Sequence, residues 1–280
     1  MHPPGFDRSA LAYWEARSRR WIVSTPISPL PDDVHFYERC AARHAADAPL
    51  RALLLGVTPA IATMRWPKGT HLVALDWAEG MLRNVFPRAS TPEHCSPLRG
   101  DWREIPIANA SIDLVAGDGC YSAFADFDGP AQVNSEVARV LRPGGEFSMR
   151  CHRRLDRNAP AAELFERLFA GAIGDLDMFR WLLAMAVHGD SHTGVRLGDV
   201  WRAWNERVPD VSQAQARYGW KAQAVANMEG WRDATSRYVF PSLAQLRELA
   251  EPHFELAGCD IPGYEWGEHF PRFTWRRRAG

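Results

Sequence analysis

A chain of 280 residues with 46% hydrophobic content is long enough for one elaborated domain with a substantial core. Its 33 Lys and Arg against 34 Asp and Glu leave a formal net charge of −1, which argues against the broad basic field of a nucleic-acid or membrane-surface binder. The five cysteines, Cys40, Cys95, Cys120, Cys151 and Cys259, are scattered without metal-ligand spacing, so a reduced, cytoplasmic setting is expected and no metal site. The opening MHPPGFDRSA has no apolar leader region, and no uncharged run reaches membrane-spanning length.

In chain order, residues 1–48 read as a helical arm. Within it, STPISPLPDD places Pro26, Pro29 and Pro31 in a stiff extended path, and Asp32 and Asp33 then stand ready to cap a helix through Val34, Phe36, Tyr37 and Cys40. From residue 50 the pattern alternates. Strand-length apolar runs at 52–55, 71–75, 112–116 and 146–150 are separated by helix-compatible stretches at 60–64, 79–85 and 132–141. Short buried strands alternating with helices predict a parallel sheet covered on both faces, with right-handed crossovers.

Residues 156–238 switch to helical spacing, as in Leu164, Phe165 and Leu168 and again in Phe179, Leu182 and Met185. This stretch holds Trp181, Trp201, Trp204, Trp220 and Trp231 and is expected to be a helical insertion acting as a substrate lid. Ser242 then opens a helix with Gln245 as its capping-box partner, and strand-like stretches at 254–261 and 271–277 close the chain. The core is therefore assigned to 49–155 and 239–280.

In an open α/β sheet, ligands bind beyond the carboxyl ends of the strands, so the residues that follow each strand matter most. After the first, LLLGVTPAIA turns at Gly56-Val57-Thr58-Pro59. After the second stand Asp76 and Trp77, and Asp76 lies at the spacing from Gly56 at which a carboxylate can accept from ribose hydroxyls. Further along come Gly100-Asp101-Trp102, where Asp101 can accept from an exocyclic amine, and Gly117-Asp118-Gly119-Cys120-Tyr121.

The ordered series VALDWAEGML, GDWREIPIANASIDLVAGDG and EVARVLRPGGEF resembles the class I S-adenosylmethionine-dependent methyltransferase family over residues 50–152, and 242–277 is similar to its C-terminal end. The resemblance implies an α/β fold with a doubly wound, seven-stranded, mostly parallel sheet whose last strand runs antiparallel. It also implies S-adenosyl-L-methionine as cofactor, held by Gly56, Val57, Thr58, Asp76, Trp77, Met81, Asp101, Trp102, Asp118 and Gly119. The first loop departs from the family pattern of an acidic residue followed by Gly-x-Gly-x-Gly. Leu54 stands in the acidic position, and Thr58 and Ala60 replace the later glycines. Thr58 as N-cap and Pro59 as first helical residue are expected to start the helix instead. Asp118 or a backbone carbonyl would then meet the cofactor's ammonium group.

Methyl transfer from a sulfonium is an in-line displacement, so positioning carries much of the catalysis and a general base helps a hydroxyl acceptor. His152 and Tyr121 are the candidate catalytic groups, while Arg150 and Arg153 read as solvated flanks. Tyr13, Trp14, Trp21, Trp181 and His188 are candidates for the acceptor pocket, the aromatic rings favouring a flat or apolar molecule. His188 and His192 have no third ligand in view. The expected activity is O- or N-methylation of a small molecule, with no nucleic-acid or membrane partner and with a homodimer as the assembly considered. The alternatives are a different reaction on the same cofactor, or a non-catalytic cofactor-binding partner subunit.

Overall fold

Runs of buried aliphatic residues build the centre of the sheet in a computed structural model that describes residues 8–44, 49–87, 95–189 and 191–278. Residues 1–7 and 45–48 of the expected arm lie outside the described residues. The first five strands are β1 (Arg51–Leu55), β2 (His71–Asp76), β3 (Cys95–Arg99), β4 (Ile112–Asp118) and β5 (Leu141–Arg150). A two-stranded pair, β6 (Val195–Arg196) and β7 (Arg237–Tyr238), sits apart. The last two strands, β8 (Phe254–Asp260) and β9 (Arg272–Arg277), complete a seven-stranded sheet in the order β3-β2-β1-β4-β5-β9-β8. Strands β1 to β5 pair in parallel and β9 runs antiparallel to both neighbours, as expected. The chain order reverses between β1 and β4, and the carboxyl ends of those two strands open the crevice where such sheets bind ligands.

Edge strand β3 has no hydrophobic run behind it. Its sequence CSPLR holds Pro97, opposite Ala74, and a proline is tolerated there because one side of an edge strand needs no ladder donor.

The helices are α1 (Arg8–Ser18), α2 (Pro31–Arg43), α3 (Pro59–Ala62), α4 (Glu79–Asn84), α5 (Asp128–Val140), α6 (Ala161–Phe169), α7 (Leu176–His188), α8 (Leu197–Arg207), α9 (Val211–Tyr218), α10 (Ala222–Glu229) and α11 (Leu243–Ala250). One face of the sheet buries Leu53, Val115, Phe147 and Trp275 against Val133, Val137 and Leu246. The other face buries Leu54, Ala74 and Ala116 against Tyr37, Ile61 and Met81. Successive residues of one strand thus serve opposite faces, the period-two pattern of a sheet covered twice. Helices α6 to α10 have a third core of their own, built around Phe165, Phe179, Trp204 and Met228. None of the described helices is long and apolar enough to cross a membrane.

Two capping expectations resolve differently. Ser242 and Gln245 form the full capping box, with Ser242 Oγ accepting from the Gln245 N–H at 3.2 Å and Gln245 Oε1 from the Ser242 N–H at 2.9 Å. Thr58 occupies the N-cap of α3, but its hydroxyl makes no cap bond, and α3 is only 4 residues long. The first loop is therefore not repaired by a capping side chain.

Arg150 is the largest departure. Instead of facing solvent it is fully buried, and all five guanidinium N–H groups find acceptors. Nε and Nη2 donate to Asp118 at 2.6 and 3.2 Å, and Nη1 donates to Asp33 at 3.2 Å. Nη1 and Nη2 also donate to the Pro26 and Ile27 carbonyls, each at 2.6 Å. Burial alone would lower its pKa, but the carboxylates of Asp118 and Asp33 outweigh that and keep the group charged. The proline-rich segment and α2 are thereby tied to the end of β5.

Candidate active site

Gly56 follows β1 with φ +87°, a left-handed conformation that suits glycine. Its N–H donates to the Leu75 carbonyl at 2.8 Å, and the Trp102 indole N–H donates to that same oxygen at 2.7 Å. Trp102 is thus pinned across the ends of β1 and β2, its ring 3.5 Å from where a Gly56 side chain would begin.

Asp76 ends β2 and is 6% exposed. One of its oxygens accepts from the Ala78 N–H at 2.9 Å. Burial, with the charge of Glu15 adding to it, raises its pKa to about 7 despite that bond. Glu15 comes from α1 and accepts from the Gly80 N–H at 2.9 Å, docking α1 on the start of α4.

These strand ends floor a cavity of about 320 Å³. Gly56, Val57, Thr58, Asp76, Trp77 and Met81 line it, as do Asp101, Trp102 and Asp118. Nine of the ten residues expected to hold a cofactor therefore meet in one space. The tenth, Gly119, lines a neighbouring cavity of about 130 Å³. Trp14, Trp21, Thr58, Trp102, Asp118 and Ala123 border both cavities, which makes them two compartments of one cleft.

Two of the carboxylates are already engaged. Asp101 is held by Arg103 through Nη2 at 2.7 Å and Nε at 3.1 Å, and Asp118 by Arg150. The Asp118 oxygens face a cationic partner before any ammonium group arrives.

The smaller cavity gathers Tyr13, Trp14 and Trp21 from the N-terminal segment with Trp181 from α7 and His152 from just beyond β5. The His152 ring packs on Gly119, where a Cβ would fall 2.4 Å from its Cε1, and stands edge-on to Trp181 with centroids 4.6 Å apart. Neither ring nitrogen makes a hydrogen bond of normal geometry. Burial and the Arg150 charge, only partly offset by contact with the Ile27 backbone, hold its pKa well below the usual histidine value.

Tyr121 and His188 are corrections. The Tyr121 hydroxyl turns away from both cavities and donates to Asn134 at 2.5 Å inside the core. His188 is buried against Phe127 and Phe240, its Nδ1 2.9 Å from the Gly189 carbonyl. Trp201 likewise sits outside the cleft, bonded to Glu229.

The family model for a methyltransferase domain matches residues 53–149, the stretch that carries β1 to β5 and the floor of the larger cavity. Over that stretch the chain is similar to methyltransferase domains, and its sheet has the form expected of the class I S-adenosylmethionine-dependent fold. It is 33% identical over 81 residues to a malonyl-[acyl-carrier protein] O-methyltransferase of Xylella fastidiosa, 29% of this chain and 26% of that protein. It is 32% identical over 110 residues to the enzyme of that name from Methylococcus capsulatus, 38% of each. The matches thus span well under half the length of these relatives. The structure of the N-methyltransferase NodS from Bradyrhizobium japonicum with S-adenosyl-L-homocysteine superposes with a TM-score of 0.53 at 9% identity, covering 98% of this chain and 100% of that one. At that identity the likeness is one of fold.

Several residues lining the cleft carry no signal in the sequence motifs. Phe124, Asp126, Asp128 and Gln132 border the larger cavity from the loop after β4 and the start of α5. Position just beyond a central strand was the available cue, and it extends further than the Gly-Asp-Gly turn. Arg17, Ser122, Arg180, Trp231 and Tyr238 reach the smaller cavity from four separate parts of the chain, a convergence that no local spacing encodes.

Proposed function

We propose that the protein transfers a methyl group from S-adenosyl-L-methionine to an oxygen or nitrogen of a small-molecule acceptor. The observation that carries this reading is the divided cleft, with Asp76 deep in a cavity of about 320 Å³ and an aromatic compartment of about 130 Å³ opening beside it. The buried, hydrogen-bond-poor Asp76 carboxylate fits a ribose diol, whose two hydroxyls would supply the donors it lacks. Trp77, Met81 and Phe124 offer apolar walls for a purine, and the turn at Gly56 leaves the chain close to the amino-acid tail. The cofactor supplies an activated methyl group, and the chain's task is to hold the acceptor in line and keep water out. The two sequence relatives named above, the malonyl-[acyl-carrier protein] enzymes, are O-methyltransferases by name, which supports oxygen as acceptor atom. Their matches cover only part of either chain, so the choice of acceptor rests on the smaller cavity.

Isothermal titration with S-adenosyl-L-methionine and S-adenosyl-L-homocysteine tests the proposal. Saturable one-to-one binding is expected, weakened about tenfold or more by Asp76→Asn, as for loss of hydrogen bonds to a charged group. No heat and no thermal shift at millimolar cofactor would refute it.

A further inference from the structure

The smaller cavity has a size, a charge and a hydrogen-bond pattern that together describe its occupant. Its volume is about 130 Å³, and an engineered cavity of about 150 Å³ in another protein holds one benzene ring. One ring with small substituents matches the space, particularly because the cavity continues into the larger one past Trp14, Thr58 and Trp102. Aromatic rings wall it on several sides: Tyr13, Trp14, Trp181, Trp231 and Tyr238.

An aromatic cage also suits a quaternary ammonium ligand. Here the charges oppose one, because Arg17 and Arg180 line the same cavity. Arg180 is 3% exposed, bonded to Asp177 at 2.9 Å and stacked over Trp231 at 4.4 Å. Asp177 in turn accepts from Asn227 at 2.9 and 3.0 Å, so its charge is shared. Arg17 donates to neutral oxygens, Asn227 Oδ1 at 2.6 Å and the Ile22 carbonyl at 3.3 Å, and has no acidic partner among the described residues. The one acidic residue lining the cavity among the described residues, Asp118, is held by Arg150, so at the Arg17 and Arg180 end the wall keeps a net positive charge.

The lone polar atoms point the same way. Arg180 Nε–H and Trp181 Nε1–H can only donate, and neither has an acceptor. Ser122 Oγ and both His152 ring nitrogens are also unpartnered, and all four side chains are at least nine-tenths buried. Buried donors without acceptors are costly, and an acceptor-rich ligand would satisfy them.

We propose, on the basis of the methyltransferase reading above, that the acceptor is a single-ring aromatic acid. Its hydroxyl lies at the strand ends beside His152 and Ser122, and its carboxylate lies toward Arg17 of α1 and Arg180 of α7. The phenolic oxygen attacks the sulfonium methyl carbon, so an O–CH3 bond forms as the S–CH3 bond breaks and its electron pair stays on sulfur as a thioether. The phenolic proton passes to one of the unpartnered ring nitrogens of His152 as the new bond forms, and then leaves to solvent.

The test loads the whole protein with S-adenosyl-L-homocysteine and titrates 2-, 3- and 4-hydroxybenzoate against the matching hydroxybenzamides, following tryptophan fluorescence. At least one acid is expected to bind about tenfold or more tighter than its amide, the effect of meeting or missing a buried charge. Arg17→Met should reduce that preference to about twofold or less in a protein that still binds S-adenosyl-L-homocysteine. With labelled S-adenosyl-L-methionine, the preferred acid should carry the label on its phenolic oxygen. Amides binding as tightly as acids, or no acid binding to protein that does bind the cofactor product, would overturn the aromatic-acid inference alone. Failure to bind the cofactor product would overturn the methyltransferase reading, and this inference with it.

Discussion

Asp76 is the residue where the proposed cofactor recognition and pH meet. Its carboxyl rises from the usual 3.8 to about 7 because it is buried with too few donors. The native chain therefore keeps this proton to a higher pH than the unfolded chain does. Stability from this residue is full below the ordinary carboxylate pKa and declines as pH rises through about 7. Ribose hydroxyls favour the ionised form, so binding should release close to one proton at pH near 6. Affinity should rise about tenfold per pH unit below that pKa and level off above it. Titrations of S-adenosyl-L-homocysteine at several pH values, in buffers of different ionisation enthalpy, would read both effects, and a flat affinity across that range would refute them. Asp76 and Gly56 were legible because their spacing from strand ends encodes their place. Tyr121 was not, since proximity to a strand end does not say which way a ring turns, and Asn134 of α5 draws its hydroxyl into the core.

At the scale of elements, the decisive contact is the Arg150 network. Charged residues at strand ends read as solvated by default, because an unpaired charge is seldom buried. Burial here depends on Asp33 and the Pro26 and Ile27 carbonyls arriving from the arm, and on Asp118 arriving from the neighbouring strand. No window of sequence contains that conjunction. The central strands, by contrast, were readable as apolar runs, while β3 was hidden by its proline and half-exposed side chains. Asp33 keeps Arg272 and Tyr264 as partners, but Asp118 has only Arg150 among the described residues, so Arg150→Met should leave the buried Asp118 uncompensated and lower unfolding stability by about 3–5 kcal/mol. Urea denaturation measures this, and a loss below about 1 kcal/mol would mean that the network is relieved by solvent. Asp118 loses its cationic partner in this variant, so cofactor affinity should change as well.

At the scale of the whole molecule, the cleft belongs to no single part of the chain. The sheet supplies its floor, α7 and the Trp231 and Tyr238 region supply one wall of the smaller cavity, and α1 reaches over both cavities through Trp14. Trp14 stacks on Tyr238 at 6.4 Å and leans on Trp21 at 6.1 Å, so α1 touches β7 as well as the larger cavity. A ligand that contacts α1 must therefore stabilise the docked position of that helix by linkage, by about 2.7 kcal/mol at about 100 times its Kd. Arg19 and Arg20 lie exposed just past α1, within reach of trypsin once the arm lifts. Saturating S-adenosyl-L-homocysteine should slow cleavage there by up to about a hundredfold, if cleavage requires that opening. Trp14→Ala should lose much of this protection and weaken cofactor binding several-fold or more. Trp181→Ala, whose ring borders only the smaller cavity, should keep cofactor affinity within about twofold, since separated sites contribute independently. Cleavage at an unchanged rate with bound S-adenosyl-L-homocysteine would show that the arm does not close the cofactor space. Equal loss of affinity in the two variants would show that the cavities act as one.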